Sequence, residues 1–200
     1  MTRAQPDAFY RQAKKEGYAA RSVYKLAEMD RRYQLLRRGQ SVLDLGCHPG
    51  SWLQYAAQKV GPRGLVVGVD MQPLAFQLPA NARFVQADLL EITSLDLRHF
   101  APEYDLVLSD AAPRTTGVTH ADVAQSLDLA AKALKLARGL LKPGGMLVVK
   151  VYYGAQADGL IKEIKAAFEM GKGYKPSATK AGSKETYILG RGLKPAARLA

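Results

Sequence analysis

Two lysines and two carboxylates occupy positions where folding can make them reactive: Lys25, Asp110, Lys150 and Glu185. Lys25 lies in a basic N-terminal segment. Asp110 ends the apolar run YDLVLSD, Lys150 sits late in MLVVKVY, and Glu185 opens ETYILG. Brought together, such groups shift one another's pKa, and this is how a lysine becomes a proton acceptor. The opposite outcome is equally open. Two carboxylates beside Lys150 favour its protonated form, which orients a substrate instead of taking a proton.

A second set of residues suits a cofactor. The stretch Asp44-Leu45-Gly46-Cys47-His48-Pro49-Gly50-Ser51-Trp52 reads as a strand, a glycine turn and a helix start. Glycines there let a ligand approach the backbone closely. The spacing is neither the G-x-G-x-x-G of dinucleotide sites nor a Walker loop. Asp70 ends the next apolar run and is placed to accept from both hydroxyls of a ribose. Asp88 ends the run after that, where it can accept from an adenine amine. A glycine turn with two acids fits an adenosine ligand that lacks an anchoring phosphate. S-adenosylmethionine is such a ligand, and its sulfonium favours an acidic rim. Trp52, the only tryptophan, reads either as a helix residue packed on the sheet or as lining of this pocket. Cys47 and His48, adjacent in a loop, read as loop filling rather than a nucleophile pair.

The elements that position these residues follow from periodicity and punctuation. Residues 7–37 read as helical, with a stop at Gly39. Strands are expected at 41–46, 65–70, 83–88, 104–110 and 146–152, and helices at 51–60, 120–141 and 155–170. Residues 172–176 and 185–190 read as a closing pair of strands, and 191–200 as a frayed tail. Continuous apolar strands alternating with helices predict an α/β fold, a mostly parallel sheet covered on both faces. Ligands then bind beyond the carboxyl ends of the strands. This puts Gly46, Asp70, Asp88, Asp110 and Lys150 along one rim. The 200 residues fit a single domain, with a basic helical arm at about 1–38.

Charge points to a polyanion. The net charge is +11, and residues 1–40 carry ten basic against four acidic residues. Residues 162–200 carry nine against three. In the arm, Arg3, Arg11, Lys14, Lys15 and Arg21 interleave with Phe9, Tyr10, Tyr18 and Tyr24, a pattern for phosphate contact and base stacking. Tyr18 and Tyr24 fit inward packing equally well. No apolar run approaches the ~20 residues that span a bilayer, and the N-terminus lacks a secretory-type apolar stretch. The single cysteine permits no internal disulfide, and His99 and His120 lack metal-ligand spacing. A cytoplasmic, metal-free protein with no membrane contact is expected, and nothing demands more than a monomer.

Four separated segments also carry a family resemblance. They are Glu16-Gly17-Tyr18-Ala19-Ala20-Arg21-Ser22-Val23-Tyr24-Lys25-Leu26, Ser109-Asp110-Ala111-Ala112-Pro113, Val148-Val149-Lys150-Val151 and Ser183-Lys184-Glu185-Thr186-Tyr187. In order and spacing they closely resemble the FtsJ/RrmJ (RlmE) family of ribose 2′-O-methyltransferases, over about residues 8 to 190. The resemblance implies a Rossmann-like, seven-stranded S-adenosylmethionine fold that acts on ribosomal RNA. In the bacterial family the usual target is a uridine in the A-loop of large-subunit (23S) RNA, within the assembled particle. The family's Lys-Asp-Lys-Glu tetrad falls on Lys25, Asp110, Lys150 and Glu185, with Lys150 as its proton acceptor. Its cofactor contacts fall on Gly50, Trp52, Asp70, Asp88 and Asp110. The family's loop reads Asp-Leu-Gly-Ala-Ala-Pro-Gly-Gly-Trp, so Cys47, His48 and Ser51 are departures. Transfer RNA or an RNA cap is the alternative substrate, and an RNA-binding assembly factor the alternative class.

Overall fold

Strands without polar alternation must be buried on both faces, and here they form the middle of a seven-stranded sheet. The computed structural model describes residues 8–113, 119–152, 157–180 and 182–199. Arg3 of the basic arm and the His120 side chain lie outside the described residues. The strands are β1 (Ser41–Leu45), β2 (Leu65–Asp70), β3 (Ala82–Gln86), β4 (Tyr104–Ser109), β5 (Leu141–Tyr152), β6 (Phe168–Tyr174) and β7 (Glu185–Leu193). Their order is β3-β2-β1-β4-β5-β7-β6. The first five run parallel, and β7 is antiparallel to both β5 and β6. The chain moves outward from β1 to β3 and then crosses to β4, so a crevice opens beyond the ends of β1 and β4.

Each sheet face has its own core. Helices α2 (Val23–Tyr33) and α3 (Ser51–Val60) cover one, where Leu26, Met29, Trp52 and Leu53 pack against Val42, Leu106, Leu108, Val148 and Tyr187. Helices α4 (Ser94–Arg98), α5 (Thr119–Leu140) and α6 (Asp158–Ala167) cover the other, with Leu97, Ala133 and Ile164 against Leu43, Val107, Leu147 and Ile188. Among the described residues, no helix is long and apolar enough to cross a membrane.

Four local features depart from the periodicity. The N-terminal segment is two helices, α1 (Ala8–Lys15) and α2, because Gly17 at φ +78 breaks it. Helix α1 buries only Ala13, whereas Val23, Leu26 and Met29 are buried, so α2 is part of the core. Helix α4 is too short for periodicity to reveal. It is held by a capping box in which Thr93 and Asp96 exchange hydrogen bonds. Strand β5 starts at Leu141 rather than Met146: Tyr104 faces Leu141 and Leu106 faces Met146, so the segment 142–145 bulges between them. The expected frayed tail is ordered instead. Strand β7 reaches Leu193, a 3-10 turn follows at Pro195–Ala197, and Leu199 N donates to Arg138 O at 2.9 Å. Burial of Leu193 and an Arg198–Glu103 ion pair fix it there.

Candidate active site

Strand parity gathers the tetrad. Val148 packs on the α2–α3 face, so Lys150 and then Tyr152 point the same way along β5. Leu106 and Leu108 face that side on β4, and continuing the alternation brings Asp110 there too. On β7, Tyr187 lies opposite Lys150 and Glu185 opposite Tyr152. Lys25 precedes Leu26, which packs on the same face. Three strands and one helix therefore deliver four distant ionisable groups to one place.

They meet as two ion pairs. Lys25 Nζ donates to Glu185 Oε2 at 2.8 Å. Lys150 Nζ donates to the Asp110 carbonyl at 2.7 Å and lies 3.2 Å from its Oδ1. The lysines are 8% and 5% exposed, so each charge depends on its partner rather than on water. Tyr187 stands between the pairs. Its hydroxyl donates to Asp110 Oδ1 at 2.7 Å, and Lys25 Nζ is 5.9 Å from its ring centroid. Burial, then the Asp110 charge, pushes its phenol well above the ordinary value, so the hydroxyl keeps its proton and remains a donor. Residue-by-residue reading missed Tyr187. Its signal was its place two residues after Glu185 in a strand.

The cofactor candidates divide. A cavity of about 220 Å³ beyond the ends of β1, β2 and β4 is lined by Gly46, Asp70, Asp88 and Asp110, with His48, Ala111 and Leu129 among its walls. Gly46, at φ +73, is pressed so close to Ala111 that an added Cβ would sit 2.5 Å from its Cα. The Asp70 carboxylate accepts from His48 N and Gln72 N, each at 2.9 Å, which pins the loop and leaves further lone pairs for a ligand. Asp88 Oδ1 accepts from Leu90 N at 2.8 Å. Gly50 and Trp52 do not line this cavity. Gly50 caps α3 against the Phe76 ring. Trp52 is buried, its Nε1 donates to Ser22 O at 2.8 Å, and its ring lies 5.8 Å from that of Tyr187. It packs the tetrad's floor.

The loop departures have local explanations. The Cys47 thiol turns inward against Gly68, and burial raises its pKa, so it is no thiolate nucleophile. Ser51 Oγ meets Ser22 Oγ at 2.9 Å, tying α3 to the start of α2. Asp44 is wholly buried, and neither carboxylate oxygen has a hydrogen-bond partner among the described residues. Burial, then the charges of Asp110 and Asp70, push its pKa well upward. The cavity wall itself carries Asp70, Asp88 and Asp110, and three acids on one wall favour a cationic ligand. A sulfonium-bearing adenosine meets this need, and the cavity's carboxylates can accept from its hydroxyls and amines. Among the described residues no group of three or more His, Cys, Asp or Glu is arranged to hold a metal.

The arm's aromatics resolve into two kinds. Tyr18 OH donates to Gln58 and Tyr24 OH to Glu16, and Tyr24 packs against Phe9, so both tyrosines have internal partners. Tyr10 and Phe9 are exposed beside Arg11, Lys14 and Lys15.

Known proteins resemble this chain in sequence and in fold. The sequence profile of FtsJ-like methyltransferases matches residues 18–193. A protein of Desulfatibacillum aliphaticivorans named ribosomal RNA large subunit methyltransferase E is 45% identical over 184 residues, covering 92% of this chain and 89% of its own. A protein of the same name from Bdellovibrio bacteriovorus is 42% identical over 197 residues, covering 97% and 100%. A crystal structure from Plasmodium falciparum, whose protein carries the provisional name ribosomal RNA methyltransferase, superposes with a TM-score of 0.77 at 26% identity, covering 88% of this chain and 98% of that one.

Proposed function

We propose that this chain, which belongs to the FtsJ-like methyltransferase family, methylates a ribose 2′-hydroxyl in large-subunit ribosomal RNA, with S-adenosylmethionine as donor. The acceptor in this reading is a uridine of the A-loop. One observation carries it: Asp110 lines the cofactor cavity and also holds the buried Lys150 ammonium. Its relatives' printed names supply the substrate class.

When bound, S-adenosylmethionine supplies an electrophilic methyl carbon on a sulfonium. Asp70 and Asp88 hold the ribose hydroxyls and the adenine amine of that ligand, and Gly46 leaves room for its backbone approach. Lys150 meets the 2′-oxygen of the RNA. Paired with Asp110, it would hold that oxygen in line with the methyl carbon; as the oxygen–carbon bond forms and the carbon–sulfur bond breaks, Lys150 would take up the hydroxyl proton while passing one of its own to the Asp110 carboxylate, which returns it to water. Lys25 and Glu185 fix the far side of the pocket and balance its charge. Tyr187 keeps the Asp110 carboxylate in register. Positioning supplies much of the acceleration, and proton handling adds about 10²–10⁴. The exposed cations of α1 and the 172–184 segment dock the RNA backbone, with the chain acting as a metal-free cytoplasmic monomer.

The test is tritiated methyl transfer to purified large ribosomal subunits and to total transfer RNA, followed by nucleoside analysis. The expected product is 2′-O-methyluridine from the large subunit. A base-methylated nucleoside, or label confined to transfer RNA, would remove this reading.

A further inference from the structure

Two cavities open near the tetrad. The first, beyond β1, β2 and β4, is the cofactor cavity described above. The second, about 180 Å³, is lined by Asp122, Val123, Tyr152, Ser183 and Lys184. It shares Ser183 and Lys184 with a cleft that Glu185 lines. Register puts Tyr152 opposite Glu185 and two residues beyond Lys150, on the same face. Asp110 thus borders the first space, and Glu185 lies across the strand pair from Tyr152, which lines the second.

We propose that the second cavity receives the base of the acceptor nucleotide, unstacked from its RNA and laid against the Tyr152 ring. This rests on the ribose-methylation reading. In that reaction the 2′-oxygen must approach the methyl carbon in line with the breaking bond, so acceptor and donor lie on opposite sides of the transferred carbon. With the donor in the first cavity, the acceptor's base extends toward the second. Tyr152 is half-buried, so one part of it is anchored while the rest meets the cavity. Unpaired RNA bases are commonly read by stacking on such rings and by hydrogen bonds to their edges. Asp122 and Ser183 line the same cavity, and the Lys184 ammonium suits a flanking phosphate.

A competing role for Tyr152 is proton acceptor, as a phenolate. Burial, then the charges of Glu185, Asp110 and Asp122, raise its pKa against the opposing pull of Lys25. The phenol stays neutral in the working range, which suits a stacking platform and not a base.

The experiment measures steady-state methylation of large ribosomal subunits by the parent protein, Tyr152→Ala, Tyr152→Leu and Tyr152→Phe. Cofactor Kd and melting temperature are recorded for each. Removing a stacked ring lowers kcat/KM by about 5- to 150-fold. The loss should appear in both Tyr152→Ala and Tyr152→Leu, mainly as a higher KM for the subunit, with cofactor Kd within about twofold. Tyr152→Phe should recover activity to within about threefold. Tyr152→Leu keeps apolar bulk and guards against a misfolded alanine variant. The inference is overturned if Tyr152→Leu matches the parent, if Tyr152→Phe is as poor as Tyr152→Ala, or if cofactor binding falls in step with kcat/KM. A parent protein that forms no ribose-methylated product sinks the underlying reading as well, a result readily told apart from an active parent indifferent to residue 152.

Discussion

The parallel and antiparallel halves of the sheet build their candidate sites by different means. Beyond β1, β2 and β4, the cofactor cavity is made of loops: a glycine at positive φ, and carboxylates whose oxygens also brace backbone N–H groups. Between β5 and β7, Lys150, Glu185 and Tyr187 stand on strand backbone, and cross-strand register fixes which of them face one another. A loop site can be reshaped by one backbone change while the sheet survives. A register site moves only if a strand slips, and a one-residue slip would turn Glu185 and Tyr187 to the opposite face. Asp110, at the boundary, belongs to both.

The shared residue should be the most sensitive. Asp110→Asn removes the charge facing Lys150 and alters the cofactor wall together. Single-turnover methyl transfer should fall by about 10³ or more, with melting lowered by the loss of a buried ion partner, about 3–5 kcal/mol. Loss of turnover with neither cofactor affinity nor stability changed would place Asp110 in one half only.

Gly46→Ala tests the loop half. It forces a side chain into left-handed backbone and against Ala111, costing about 1–3 kcal/mol in strain and a similar amount in overpacking. Urea unfolding should report this, and an unchanged midpoint would mean that the turn has room.

Asp70→Ala should weaken the cofactor by about 10- to 100-fold, roughly 1–3 kcal/mol, while kcat at saturating cofactor stays within about threefold. A fall in kcat alone would merge the two halves.

The smallest effect concerns Glu28, which clamps the β6–β7 connection to α2. Its carboxylate accepts from Ser177 N and Oγ and from Tyr174 OH. Burial opposes ionisation, but these bonds outweigh it and hold the pKa below the usual carboxylate range. Because the folded value is depressed, the stability it contributes is present above the unfolded value of about 4.3 and is lost as pH falls through the folded one. Glu28→Gln should cost about 1 kcal/mol at neutral pH and flatten the acid limb of the stability curve. A parallel acid limb would remove the clamp.

Much of this was legible in the chain, for a physical reason. Strands buried on both faces leave long apolar runs, and their ends mark where ligands sit. Asp70, Asp88, Asp110 and Lys150 could thus be assigned to one rim before any coordinates. Alternation would also have found Tyr187 and Tyr152, both two residues from a recognised tetrad member. What escaped depends on tertiary contact. Gly17 breaks a helical pattern that looks continuous, and Trp52 faces the tetrad floor because Ser22 O captures its indole. The last residues are fixed by Arg138 and Glu103, distant in sequence. Cys47 is harmless because Gly68 makes space for it, and loop composition alone carries no hint of that.

The measurement that tests the central claim most directly is single-turnover methyl transfer to large ribosomal subunits by Lys150→Ala, with cofactor Kd determined on the same preparation. The account predicts transfer slowed by about 10²–10⁴ and a Kd within about threefold of the parent's, because Lys150 faces the acceptor and does not line the cofactor cavity. Transfer at the parent rate, or a lost cofactor site, would contradict it.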